Sequence, residues 1–291
     1  MIYPAGLMCE DGLSTPIPAA TYKFLKWLNA DIYVARTSGT YFAMPKWTGG
    51  IRPGRTYLDV YKLLSREELA GMNAEEVQAV AEPALLFDAY RDQELLPSAC
   101  LHNDHIQGLE NVLYLCPHCG GEFTMTVWDK HTLRCTRCGY EQTSDKLALL
   151  HNQCGLGPEL RYVSDWSQLI HQWVKDRIRS GEEVQLQAET AVHMINPMKK
   201  KFAEVGHGTL QLQSSAFHFT GVMNGEETVL TIPIDQLPTL PFRPGKYLEL
   251  QRGDTIFRCV LRDGRLAMKF IHMLECFYEL RSEADAVSAV K

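Results

Sequence analysis

Four cysteines constrain this chain more than any other feature. Cys116-Pro117-His118-Cys119 and Cys135-Thr136-Arg137-Cys138 are two Cys-x-x-Cys pairs separated by fifteen residues, and each is followed directly by a glycine, Gly120 or Gly139. A Cys-x-x-Cys pair forms a tight turn whose two thiolates reach one ion, and glycine lets the backbone fold back behind the second sulfur. Two such knuckles complete a tetrahedron. The spacing predicts a zinc ribbon with structural Zn2+ held by Cys116, Cys119, Cys135 and Cys138, in which residues 122–128 and 132–134 are short strands around a turn at Asp129-Lys130. His118 and His131 are alternative ligands, and redox chemistry is the alternative use of a Cys-x-x-Cys pair. Four thiolates around one ion leave no position for water, so the quartet predicts structure rather than catalysis at the metal.

With 291 residues and 45% hydrophobic side chains, the chain is long enough for two or three folding units. A net charge of -6 argues against a dedicated nucleic-acid binder, which would carry a basic stripe, so no nucleic-acid partner is expected. The remaining cysteines, Cys9, Cys100, Cys154, Cys259 and Cys276, are scattered and odd in number. They fit a reducing cytoplasm better than a disulfide framework. No leader is evident at Met1 and no apolar run approaches about 18 residues, so nothing is expected to span a bilayer. Peripheral contact with the inner membrane face remains compatible. The run Lys199-Lys200-Lys201 is the candidate for it, with a solvated turn as the alternative.

The pattern along the chain divides it into four segments: 1–108, 109–150, 151–182 and 183–291. In the first, an apolar strand at residues 1–3, an amphipathic helix at 21–28 and a buried strand at 32–35 predict an α/β layer. Ser65 with Glu68, and Asn73 with Glu76, have capping-box spacing and predict two helices, the longer reaching about residue 90. The ribbon follows, then a short helix from Ser144 to about residue 150, and a bridging helix from about Ser164 to Ser180 on which Trp166, Leu169, Ile170, Trp173 and Ile178 keep helical spacing. From residue 183 the pattern changes to short strands punctuated by turns at Asn224-Gly225, Pro244-Gly245 and Arg252-Gly253-Asp254, closed by a helix over about 266–280. That order predicts a pleckstrin-homology-like β barrel plugged by its C-terminal helix. The whole is therefore expected to be a multidomain α+β protein.

The segment Ile2-Tyr3-Pro4-Ala5-Gly6, followed by Glu10-Asp11-Gly12, a helix and the strand at 32–35, resembles the third and fourth sequence blocks of the glycerol-phosphate and lysophospholipid acyltransferase family. Pro4 and Gly6 match the family's Phe-Pro-Glu-Gly strand end, while Ala5 stands where glutamate is usual. The resemblance implies a partial acyltransferase-like α/β region in the C-terminal part of a phospholipid-biosynthesis acyltransferase-like protein with an appended zinc ribbon. It further implies acyl transfer from a thioester to a lysophospholipid or glycerol-phosphate acceptor, with Gly6, Glu10 and Asp11 near the acceptor. Arg36 joins them because it ends a predicted strand where α/β crevices open, with Lys46, Trp47, Arg52 and Arg55 nearby.

In the family, the catalytic His-x-x-x-x-Asp block precedes the Pro-Glu-Gly strand, and here nothing precedes Met1. No catalytic residue is therefore expected in this chain, which alone would be inactive. The alternative is a non-catalytic interaction protein built on the ribbon and the barrel. His171 with Asp176 and His105 with Glu110 have the right spacing in the wrong places and are expected to be solvated polar positions. A sheet that opens on a mid-domain strand is also expected to need a protein partner to cover its apolar surface.

Overall fold

The computed structural model describes residues 1–4, 8–15, 17–100, 104–182, 185–196, 201–235 and 237–289. Contacts divide the chain into two compact units. One comprises Met1–Gln107, Thr126–Arg134 and Gly139–Asp165, and the other Gly108–Met125, Cys135–Cys138 and Trp166–Lys291. Among the described residues the fold is a mixture of helices and three antiparallel sheets.

In the first unit, α1 (Ala19–Leu28) buries Tyr22 and Leu25 and ends at Asn29, whose left-handed φ of 47° is a helix-terminating conformation that asparagine tolerates. β1 (Ile32–Ser38) leads through the single turn α2 (Thr40–Ala43) to β2 (Tyr57–Leu64), and the strands pair antiparallel from Ile32 opposite Leu64 to Ser38 opposite Tyr57. Both expected capping boxes form. Ser65 starts α3 (Arg66–Gly71) and Asn73 starts α4 (Ala74–Leu85), each side chain accepting the N3 amide while Glu68 or Glu76 reaches back. Ile17, Tyr22, Leu25, Leu64, Leu69 and Val77 share one apolar cluster. Lys26 joins α1 to α3 by donating to the carbonyls of Leu69 and Ala70 at 2.7 and 2.9 Å.

Three local expectations differ from what forms here. Residues 1–3 make no strand, and Met1, Ile2 and Tyr3 are exposed. The strand at 32–35 buries only Val34, because its partner is a single antiparallel strand and its outer face stays open. The second helix stops at Leu85, with Pro83 in its last turn, and Leu86 is extended. Asp88 then caps a separate helix, α5 (Ala89–Leu95), accepting the amides of Tyr90 and Arg91 at 3.0 and 3.2 Å. An aspartate that can cap competes with continuation of the preceding helix.

The ribbon strands are β3 (Met125–Val127), β4 (Thr132–Cys135), β5 (Glu141–Ser144) and β6 (Leu150–His151), in the order β3-β4-β5-β6. Lys130, at φ 72°, lies in the expected turn between β3 and β4. No helix starts at Ser144. Asp145 Oδ1 instead accepts the amides of Leu147 and Leu149 at 2.8 and 3.0 Å, Ala148 adopts φ 61°, and the chain reverses into β6. The side chain that could have capped a helix closes a turn.

The 18-residue helix α6 (Val163–Ser180) forms as its periodicity predicts. Beyond it, β7 (Gln185–Asn196), β8 (Lys201–Gln213), β9 (Ala216–Met223), β10 (Glu226–Pro233), β11 (Phe242–Arg243), β12 (Tyr247–Arg252) and β13 (Thr255–Leu261) make one sheet in the order β10-β9-β8-β7-β13-β12-β11. The first strand thus pairs with the last. Asn224 and Gly225, at φ 52° and 84°, form the tight hairpin turn that an Asn-Gly pair favours. Gly208 and Gly221 face each other across β8 and β9, and a Cβ on either would lie 2.3 Å from a backbone oxygen of the opposite strand.

Val192, Leu210, Phe219, Ile232, Leu250 and Phe257, from both halves of the sheet, line one apolar interior. The closing helix α7 (Leu266–Ala289) buries Ala267, Met268, Phe270, Ile271, Met273 and Leu274 completely, with the Phe270 ring 6.2 Å from that of Phe217. A seven-stranded antiparallel sheet followed by a C-terminal helix agrees with the strands-then-helix order read from the sequence, and β10 and β11 are the two edges of that sheet. Among the described residues no helix is long and apolar enough to cross a membrane.

Candidate metal centre

The first knuckle is closed by its own backbone. The Gly120 amide donates to the Cys116 carbonyl and the Cys116 amide to the Gly121 carbonyl, both at 3.0 Å, and an isolated bridge joins Leu115 to Glu122. The second is tied to the loop after the first by the Thr136 amide, 2.8 Å from the Thr124 carbonyl. Gly120 and Gly139 adopt φ of 65° and 77°, the left-handed backbone that the motif requires after its second cysteine.

The four sulfurs all lie within 4.8 Å of one another. Cys116 Sγ is 3.6 Å from Cys138 Sγ, and Cys119 Sγ is 3.8 Å from Cys135 Sγ. Sulfurs about 2.3 Å from a central zinc at tetrahedral angles would stand about 3.8 Å apart. The arrangement therefore suits a metal ion such as zinc, with all four donors already convergent. Cys116 and Cys135 are buried, whereas Cys119 and Cys138 are partly accessible.

The surrounding groups favour thiolate on one side of the quartet. Burial opposes ionisation of Cys135, but the Thr124 hydroxyl and the amides of Cys138 and Arg137 outweigh it and bring the thiol down to about 6. Thr124 Oγ1 is 3.3 Å from that sulfur. Burial pushes Cys116 upward against the amides of Cys119 and His118. Such N–H groups pointed at sulfur are what a thiolate–metal centre uses to spread its negative charge. Neither His118 nor His131 belongs to the cluster, and the His131 ring lies 5.5 Å from that of His105.

Three contacts that no sequence motif announces hold the first knuckle within its unit. The Trp166 indole donates to the Leu115 carbonyl at 3.0 Å, Tyr114 Oη lies 3.2 Å from His272 Nδ1, and Glu122 pairs with Lys269, its two oxygens 2.8 and 3.0 Å from Nζ. The only sequence sign is the apolar run Val112-Leu113-Tyr114-Leu115 before the first cysteine, and all four residues are buried. It marks burial without naming a partner.

The other candidate residues are engaged elsewhere. Gly6 lies outside the described residues, as do Lys199 and Lys200. Glu10 pairs with Lys46 at 3.3 Å, and Asp11 Oδ1 accepts the Leu13 amide at 3.0 Å. Arg36 grips both oxygens of Asp92 at 3.0 and 2.9 Å. Arg52 donates to the carbonyls of His105 and Asp104, while Trp47 is buried with its ring 5.7 Å from Tyr41.

The two histidine–carboxylate spacings were expected to be solvated, and three of their four residues are not. His105 is buried with Nε2 2.9 Å from Ser144 Oγ. Glu110 accepts the Gly108 amide at 3.0 Å, and burial raises its carboxyl. His171 is partly buried with Nε2 3.0 Å from Glu279, whereas Asp176 accepts from Gln172 at 2.8 Å. The structure thus brings His171 to Glu279, on a different helix, rather than to Asp176.

The sequence matches no known protein-family model, and no curated protein is similar to it. Among solved structures, the Ran-binding domain of the nuclear complex component Nup2 from Ashbya gossypii aligns with 34% of this chain and 97% of its own, at 11% identity and a TM-score of 0.24.

Proposed function

We propose that this protein is a zinc-stabilised interaction protein whose working parts are the ribbon and the β domain, without catalysis of its own. The supporting observation is the convergence of Cys116, Cys119, Cys135 and Cys138 into a closed set of four sulfurs. Four soft thiolates favour zinc, and a four-coordinate zinc has no open position at which to activate water or substrate. The interior of the β domain is lined by its own apolar side chains, as a packed core is.

In this reading, residues 1–108 retain an acyltransferase-like origin and act as scaffold. Tyr33, Leu58 and Val60, 59%, 63% and 62% exposed, lie on one face of the β1–β2 pair and form the surface that a protein partner covers. Glu10 and Arg36 serve as internal ion-pair partners of Lys46 and Asp92 rather than as acceptor ligands.

Two measurements test this. Metal analysis of protein purified without chelator should give one zinc per chain, lost on Cys135→Ser. An acyl-transfer assay with an acyl thioester and either glycerol 3-phosphate or a lysophospholipid should stay at background. Turnover that disappears on His171→Ala or His105→Ala would replace this reading with an enzymatic one.

A further inference from the structure

The four sulfurs of the quartet differ in what can reach them. Cys119 and Cys138, the second cysteine of each pair, are partly accessible, whereas Cys116 and Cys135, the first of each, are buried. Two close sulfur contacts run between the knuckles: accessible Cys138 lies 3.6 Å from buried Cys116, and accessible Cys119 lies 3.8 Å from buried Cys135. Each sulfur open to solvent therefore faces a shielded one from the other knuckle. Redox-sensing cysteines are arranged in this way, with an exposed thiolate to take up the oxidant and a neighbouring sulfur to resolve it. A metal ion holds its cysteines as thiolates at neutral pH, the form that peroxide reacts with.

Most other cysteines of the chain are poorer targets. Burial pushes the Cys259 thiol up to about 12. Burial, with Asp11 and Glu10 beside it, pushes Cys9 up to about 12. Cys100 is raised by burial to about 11, and Cys276 is raised by burial and by Glu279 and Glu275. These thiols stay protonated at neutral pH and react slowly. Cys154 is the remaining one, partly accessible, with its sulfur 3.3 Å from both the Glu141 amide and Asn152 Oδ1.

We infer that the ribbon is a peroxide-responsive switch: oxidation joins Cys138 to Cys116 and Cys119 to Cys135, and the zinc leaves. The switch rests on the zinc reading above and adds the condition under which the ion is given up. In each pair the accessible thiolate attacks hydrogen peroxide; an S–O bond forms as the O–O bond breaks, and hydroxide departs. The buried thiolate then attacks the resulting sulfenic sulfur, so that the S–S bond forms, the S–O bond breaks and a second hydroxide leaves. Two thiolates and one peroxide thus give one disulfide and two hydroxides, with sulfur oxidised and peroxide oxygen reduced. The paired sulfurs draw in from 3.6 and 3.8 Å to about 2.05 Å. A thiolate is the metal ligand and a disulfide is not, so the first bond removes two of the four donors and the second removes the rest. A thiol reductant reverses both bonds and restores the site.

Peroxide treatment of the full chain with one zinc bound tests the switch, with release followed by a chromophoric indicator and disulfides mapped by peptide mass spectrometry. In the wild type the zinc should be lost completely, with Cys116 joined to Cys138 and Cys119 to Cys135. Cys9, Cys100, Cys259 and Cys276 should still be thiols when release is complete. Dithiothreitol with added zinc should restore one ion per chain, and Cys154→Ser should change neither the release nor the pairing. Cys138→His keeps a fourth ligand that zinc accepts. There Cys119 should still join Cys135, while Cys116 stays a free thiol. The switch is overturned if the disulfides form within a Cys-x-x-Cys pair, or if release depends on Cys154. Should Cys138→His purify without zinc, the wild-type map still decides it. Absence of zinc from the purified wild type would overturn the metal reading together with the switch, whereas zinc that stays bound in excess peroxide would overturn the switch alone.

Discussion

Strand β2 and helix α7 show how differently the two units treat apolar sequence. β2 carries Leu58, Val60, Tyr61, Leu63 and Leu64, yet only Leu64 is buried. On α7, Ala267, Met268, Phe270, Ile271, Met273 and Leu274 are all fully buried. The composition is comparable, and the surroundings differ. A two-stranded antiparallel sheet with helices on one side leaves its other face and its outer edge uncovered. In the second unit α7 packs on a seven-stranded sheet, the Phe270 ring 6.2 Å from that of Phe217, so its inward side chains meet apolar neighbours instead of water. Apolar residues in the second unit therefore report stability, and those on β1 and β2 report a surface.

Acid breaks this contrast most strongly. Burial, with His171 beside it, pushes His272 from 6.5 down to about 3, so the folded unit keeps the imidazole neutral. Below pH 6.5 the unfolded chain takes up a proton that the folded one refuses. The stability contributed by the neutral imidazole is thus present above pH 6.5 and lost as pH falls towards 3, by at most about 5 kcal/mol. Glu279, held down to about 2 by His171 and Lys175 against a burial penalty, acts in the same direction between pH 4.5 and 2. Denaturant titrations at pH 7 and pH 4, read on amides of 266–280, should show the loss, and His272→Phe should flatten it above pH 4.5. A second unit equally stable at both pH values would show that His272 is not held neutral.

Side-chain truncation sharpens the same contrast. Phe270→Ala should cost about 3–5 kcal/mol, because it removes a ring from a closed interior. Ser65→Ala should cost about 1 kcal/mol. It deletes the acceptor that holds the Glu68 amide at 3.2 Å and breaks a reciprocal cap whose other half, Glu68 Oε2 on the Ser65 amide, measures 2.7 Å. Val60→Ala should stay within about 0.5 kcal/mol, as for other exposed positions. Chemical denaturation of each variant checks the series. A Val60→Ala cost approaching that of Phe270→Ala would mean that β2 is already covered.

Where sequence reasoning succeeded, the deciding chemistry was local. The two knuckles, the capping boxes at Ser65 and Asn73, and the Asn224-Gly225 turn each depend on residues within a few positions of one another, and all formed. Where it failed, a local signal had two uses or a distant partner chose between them. Ser144-Asp145 carries the same side chains that begin a helix, but here Asp145 closes a turn between two strands. Residues 57–64 have no clean alternation because neither face of most of β2 is buried, and the strand was missed. His105 and His171 looked solvated because Ser144 and Glu279 lie 39 and 108 residues away. Within the candidate site, the ligands were legible from spacing, while the Glu122–Lys269 link was not, since no local pattern encodes a contact across 147 residues.

The central claim is that one zinc ion is held by four thiolates and is part of the fold. Its most direct test is metal content and metal release in a single experiment: elemental analysis of the full chain purified without chelator, followed by titration of the four thiols with a mercurial while zinc is read by a chromophoric indicator. The account predicts one zinc per chain, released completely as Cys116, Cys119, Cys135 and Cys138 react, with Cys135→Ser purifying nearly metal-free. Structural zinc in small modules contributes on the order of 10 kcal/mol, so release should be accompanied by loss of ribbon structure. Protein that purifies folded with no zinc, or that keeps its zinc after Cys135→Ser, would contradict it.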